Sequence, residues 1–87
     1  MSTHILIVDD NKEIRIFLEE FLLAKGFNCS STDSSEEALE IIENDSIEVV
    51  VSDIILPGMS GLELASKIKR KHRNIDIIFM SGHGREC

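Results

Sequence analysis

Three aspartates stand where a carboxylate breaks sharply with what precedes it. Asp9 and Asp10 follow the apolar run Ile5-Leu-Ile-Val8, and Asp53 ends Ile47-Glu-Val-Val-Val-Ser-Asp53. Ser81 closes a third such run, Ile75–Ser81. β-Branched runs bounded by turn residues predict strands buried on both faces. An acid at the carboxyl end of such a strand sits where open α/β sheets place their ligands. If the strands run parallel, their carboxyl ends share one rim, and Asp9, Asp10, Asp53 and Ser81 converge despite their separation in sequence. Clustered carboxylates repel and raise one another's pKa. A divalent cation removes that repulsion, and an oxygen-only donor set without nearby His or Cys favours Mg²⁺ or a similar hard ion. A metal beside a carboxylate can also neutralise an incoming phosphoryl group, so the pattern suits aspartyl-phosphate chemistry on Asp53.

The elements that must position these groups alternate along the chain. His4–Val8 predicts a short buried strand. Ile14, Phe17, Leu18, Phe21 and Leu22 then fall on one helical face, with Asn11 or Asp10 as cap and Gly26 just past the end. Phe17 and Phe21 are expected in the core. Ile16 and Leu23 lie off that stripe and are surplus to a one-sided helix. Phe27–Thr32 alternates and suits an edge strand. Ser34-x-x-Glu37 is a capping-box pattern before Ala38, Leu39, Ile41 and Ile42, in a helix ending near Asn44. Ile47–Ser52 is the central strand. Ser60-x-x-Glu63 opens a third helix, with Leu62, Ala65 and Ile68 expected on its inner side, and Ile75–Ser81 is the fourth strand. The order β-α-β-α-β-α-β demands parallel pairing with right-handed crossovers, hence an α/β sandwich.

With these blocks in place, the chain resembles the receiver domain of two-component response regulators. The resemblance rests on Ile5-Leu-Ile-Val-Asp-Asp-Asn11, on Val49-Val-Val-Ser-Asp-Ile-Ile-Leu-Pro-Gly-Met-Ser-Gly-Leu-Glu-Leu64 and on Ile77-Ile-Phe-Met-Ser-Gly-His-Gly84, in the family's order and spacing. It implies a flavodoxin-like three-layer α/β sandwich with a parallel sheet of order 2-1-3-4. It also implies that Asp53 is the phosphoacceptor and that Asp9, Asp10, Asp53 and the backbone carbonyl of Ile55 hold Mg²⁺. Ser81 matches the hydroxyl that senses the phosphoryl group, and the Gly82 backbone N–H lies beside that group. The implied partner is a sensor histidine kinase or a phosphotransfer protein, and the chain is a signalling module rather than an enzyme. A phosphatase with an Asp nucleophile fits less well. Such enzymes carry a second acid two residues on, where this chain has Ile55.

Family members run to about 120 residues, with a fifth strand that brings a lysine to the site. This sequence ends just after the fourth strand, so residues 1–87 read as a single receiver domain that lacks the last α-β-α portion. Lys67, Lys69 and Lys71 belong to the third helix and do not replace that lysine. The fourth strand is then expected at a sheet edge, beside a half-uncovered face. The expected consequence is a homodimer or domain-swapped assembly, to which Ile16 and Leu23 contribute. The alternative function is a non-catalytic dimerisation or interaction module derived from a receiver.

Composition narrows the remaining classes. Eighty-seven residues make one small domain, and a net charge of −7 argues against a general nucleic-acid or anionic-membrane binder. No window approaches a membrane span and no signal peptide precedes the first strand, so a cytoplasmic location is expected. Cys29 and Cys87 form no framework or C-x-x-C pattern, and Cys29 is expected as a small buried residue. His4, His72 and His83 show no ligand spacing. Ser34 and Ser60 are explained by capping. The basic run from Lys67 to Arg73 reads as a solvated helix C-terminus, where cations favour the macrodipole.

Overall fold

The computed structural model describes residues 3–80. Four strands and three helices alternate: β1 (His4–Val8), α1 (Lys12–Ala24), β2 (Asn28–Thr32), α2 (Ser35–Asn44), β3 (Val49–Asp53), α3 (Gly61–Lys71) and β4 (Asp76–Met80). All pairings are parallel, in the order β2-β1-β3-β4. The expected fold and strand order therefore hold over the described residues. Handedness dictates the layers. The step from β1 to β2 runs opposite to the steps from β2 to β3 and from β3 to β4. Right-handed crossovers then place α1 on one face and α2 with α3 on the other.

The α2–α3 face holds the main core. Leu6, Val8 and Val50 meet Ala38, Ile42, Ile47, Leu56, Leu64, Ile68 and Ile75 there. Leu6, Val8, Val50, Leu64 and Ile68 are fully buried, and each such side chain contributes about 1.5–3 kcal/mol of burial free energy. On α3 the inward positions are Gly61, Leu64 and Ile68, whereas Leu62 is exposed. The expected inner side of α3 was thus one flank out: Leu64, not Leu62, shares the stripe with Ile68.

The α1 face is less covered. Ile7, Val51 and Ile78 are register neighbours across β1, β3 and β4. Their exposure grows along that row, from a buried Ile7 through a half-buried Val51 to an Ile78 that is 54% exposed. α1 packs on β2 and β1 and buries none of its side chains fully. Ile14, Leu18 and Leu22 are half-buried, but Phe17 and Phe21 are 65% and 49% exposed, which corrects their expected place in the core. The reason is the seat of the helix. Glu19 is on the β2 side, near enough for its charge to push the Cys29 thiol up, although burial is the larger cause. At ~100° per residue the opposite flank, with Phe17 and Phe21, points toward the open β3–β4 side. The two rings stack with centroids 6.3 Å apart, and Lys25 Nζ lies 5.5 Å from the Phe21 centroid. Ile16 and Leu23 are exposed as expected. Cys29 is half-buried rather than buried, because β2 is an edge strand.

Local signals act where the sequence places them. Asn11 caps α1, its Oδ1 accepting from the N–H groups of Glu13 and Ile14 at 2.9 and 3.2 Å. Gly26, at φ 97°, turns the chain out of α1. Ser34 and Ser60 cap α2 and α3 through the Glu37 and Glu63 N–H groups, each at 3.1 Å. The Glu37 carboxylate does not close the capping box. It accepts instead from the Thr32 hydroxyl. Lys69 Nζ, near the end of α3, donates to the carbonyls of Arg73 and Ile75 and ties the helix to the entrance of β4.

Candidate metal centre

β1 and β3 are neighbours in the sheet, yet the chain leaves them in opposite directions, β1 toward β2 and β3 toward β4. Such a switch point opens a crevice outside the carboxyl ends of the strands. The register pairs Val8 with Ser52, so the next residues, Asp9 and Asp53, come side by side at the rim. Asp10 follows on the turn into α1. One carboxylate oxygen from each of Asp9, Asp10 and Asp53 lies within 4.8 Å of the others. The structure thus brings together the three expected acids.

The three are not equivalent. Asp9 and Asp53 are buried, 1% and 3% exposed, and Asp10 is exposed. Asp9 Oδ1 accepts from the Asn11 N–H at 2.8 Å. Its other oxygen, Oδ2, is buried without a hydrogen-bond partner. Burial pushes the Asp9 carboxyl above its usual range, the Asn11 N–H pulls against that, and the charges of Asp53 and Asp10 push it further up. Arg15 acts in the lowering sense. Its Nη1 donates to the Asp9 backbone carbonyl at 2.8 Å. Sequence reasoning passed over Arg15. Its signal was a cation one helical turn past the Asn11 cap, on the flank facing β2.

The loop after β3 shapes the other wall. The Ile55 N–H donates to Asp53 Oδ1 at 3.3 Å, while the Ile55 side chain is largely exposed. The Ile54 N–H donates to the Met80 carbonyl at 3.3 Å and its carbonyl accepts from the Gly61 N–H at 2.8 Å. Gly61 meets the Asp53 backbone so closely that a Cβ there would overlap the Asp53 carbonyl oxygen. Ser52 Oγ donates to that same oxygen at 2.9 Å. Ser81 and Gly82, expected at the site, lie outside the described residues.

These residues fit a hard divalent cation. A buried carboxylate oxygen with no partner is costly, and three converging acids compound the cost. Mg²⁺ is bound by one or two carboxylates with water completing its shell, which suits two buried acids and one exposed acid at the mouth of a crevice.

A parallel α/β sheet with an acidic crevice at the β1–β3 switch point has the architecture of a doubly wound α/β ligand-binding module. The chain belongs to the response regulator receiver domain family, whose model matches residues 5–87. Among curated relatives it is 39% identical over 77 residues to the DNA-binding transcriptional regulator NtrC of Klebsiella pneumoniae, covering 88% of this chain and 16% of that protein. It is 40% identical over 86 residues to the regulatory protein VanR of Enterococcus faecium, covering 99% of this chain and 37% of that one. The chain therefore spans well under half the length of these relatives. Among solved structures it resembles the response regulator protein TrrA of Thermotoga maritima in complex with Mg²⁺-BeF. The TM-score is 0.88 at 35% identity, over 94% of this chain and 71% of that one. A second structure, of histidine kinase ThkA in complex with TrrA, matches with a TM-score of 0.88 at 35% identity, over 95% of this chain and 72% of that one.

Proposed function

We propose that this chain, residues 1–87 acting as one unit, is a phosphoacceptor module of two-component phosphorelay signalling. Asp53 is the acceptor, and Asp9, Asp10, Asp53 and the Ile55 backbone carbonyl hold Mg²⁺. The observation that carries the reading is the convergence of three acids at the switch point with Asp9 Oδ2 left unpartnered. The similarity to TrrA, which has been solved with Mg²⁺-BeF and with a histidine kinase, supports it.

The chain's own residues account for most of the chemistry. The Ile55 N–H holds Asp53 Oδ1 and so orients the carboxylate. The other oxygen attacks the phosphorus of a phosphohistidine on a sensor histidine kinase or phosphotransfer protein. A P–O bond forms, the P–N bond breaks, and the imidazole leaves and takes up a proton. When bound, Mg²⁺ would supply the positive charge that lets two anions approach. Ser81 and the Gly82 N–H contact the phosphoryl oxygens in this reading. The module is consumed stoichiometrically and turns over no substrate, so it is not an enzyme. In this reading the domain works in the cytoplasm, and it has no nucleic-acid or membrane partner, since a net charge of −7 disfavours polyanions. No helix among the described residues is long and apolar enough to cross a membrane.

The test is incubation with Mg²⁺ and acetyl phosphate, followed by intact-mass measurement of the wild type and Asp53→Asn. One phosphoryl group on the wild type and none on the variant is the expected result. No Mg²⁺-dependent adduct on either protein rejects the reading.

A second reading, a dimerisation module, is favoured by the exposed Phe17, Phe21 and Ile78 and by β4 as an edge of the described sheet. A homodimer or swapped assembly would cover them. Sedimentation at micromolar concentration that finds a folded monomer removes it.

A further inference from the structure

Among the described residues, Arg15 is a charged group at the acid rim to which neither the motif nor the phosphoacceptor reading gives a task. It sits half-buried on α1, and its Nη1 donates to the Asp9 backbone carbonyl at 2.8 Å. The turn it reaches is short and highly strung. Asp9 Oδ1 accepts from the Asn11 N–H, Asn11 Oδ1 accepts from Glu13 and Ile14, and the Asp9 N–H donates to the Thr32 carbonyl of β2 at 3.1 Å. α1 itself is lightly seated and buries none of its side chains fully. A helix so placed depends on these bonds as well as on the packing of Ile14, Leu18 and Leu22 to hold its start at the rim. The Arg15 bond alone runs from within the body of the helix back to the end of β1.

We propose that Arg15 is a positioning residue for the acid rim. Its guanidinium pins the start of α1 to the Asp9 carbonyl and so sets where Asp9 and Asp10 stand relative to Asp53. It also brings a resident positive charge to Asp9, one of the three clustered carboxylates. A permanently charged donor suits a backbone carbonyl beside acids. Where it concerns Mg²⁺, the inference rests on the metal reading above; the geometry of the turn does not.

The test compares the full wild-type chain with Arg15→Met, which keeps the stem and loses the donors and charge, and with Arg15→Lys. Amide hydrogen exchange in EDTA reports the turn without metal. Arg15→Met is expected to speed exchange of the Asn11 and Glu13 amides by about tenfold while Leu6 and Val50 keep their protection. Mg²⁺ titration by calorimetry reports the ligand set. Arg15→Met is expected to weaken binding about tenfold, and Arg15→Lys to stay within about threefold of wild type. Unchanged exchange at Asn11 overturns the inference, as does equal exchange in the Met and Lys variants. No Mg²⁺ binding by the wild type rejects the metal reading and leaves the exchange arm to decide on Arg15. If Arg15→Met does not fold, Arg15→Leu, which also lacks donors and charge, supplies the same comparison.

Discussion

Gly61, the first residue of α3, packs its α-carbon against the backbone carbonyl of Asp53, so that a side chain there would meet the carbonyl carbon and the Ile54 Cα at 3.0 Å each and overlap the carbonyl oxygen. The contact is backbone on backbone and no rotamer change relieves it. Gly61→Ala should therefore cost about 2–4 kcal/mol of stability, read from urea midpoints, and should shift the Asp53 end of β3. A change below about 0.5 kcal/mol would show that α3 moves freely on its loop.

Asp9 carries a buried charge with one oxygen unpartnered and two acids beside it. Asp9→Asn removes the repulsion and offers an amide donor to Asp53. Without metal, the variant should be more stable than wild type, on the order of 1–3 kcal/mol at neutral pH. In Mg²⁺ the ranking should narrow or reverse, because the variant loses a ligand. Thermal melts in EDTA and in Mg²⁺ test both halves, and a variant less stable than wild type in EDTA contradicts the account.

Phe17 and Phe21 are the residues most at odds with their helical pattern. Phe17→Ala should cost less than about 1 kcal/mol in a monomer, against roughly 3–5 kcal/mol for a phenylalanine in a packed core. In a dimer that uses this face the same substitution should make the melting temperature less dependent on concentration. Melts over a hundredfold range of protein concentration distinguish the two.

Glu43 of α2 receives His72 Nε2 and Lys71 Nζ, each at 3.0 Å. The hydrogen bond from His72, then that from Lys71, holds its carboxyl below the usual range. A depressed acid adds stability that is present above its unfolded value of about 4.5 and disappears as pH falls through the folded value. The pair is at the surface, so its contribution is small and screened by salt. Glu43→Gln should lower the melting temperature slightly at pH 6, by less in high salt, and not at all below the folded pKa. An equal deficit at pH 3 would assign the effect to packing.

Much of this molecule is legible from local pattern. β1, the Asn11, Ser34 and Ser60 caps, the Gly26 turn and the acids at strand ends all depend on neighbours within four residues, where steric and hydrogen-bonding preferences act directly. Parallel pairing followed from alternation alone, since a crossover helix permits little else, and the motif blocks led from there to the receiver family. Burial was less legible wherever it depended on what lies opposite. The five-residue stripe of α1 is wider than the part of the sheet the helix covers, β2 and β1, so Phe17 and Phe21 face the open β3–β4 side. On α3 both Leu62 and Leu64 are apolar, and it is Leu64 that shares the buried face with Gly61, seated against Asp53, and Ile68. Arg15 left only a faint trace in spacing, a cation one turn past the Asn11 cap, and the unpartnered Asp9 Oδ2 left none. Sequence determined which groups stand at the strand ends; the right-handed crossovers and the β1–β3 register decided that three of them share one crevice, because proximity between distant segments is set by sheet order and not by local preference.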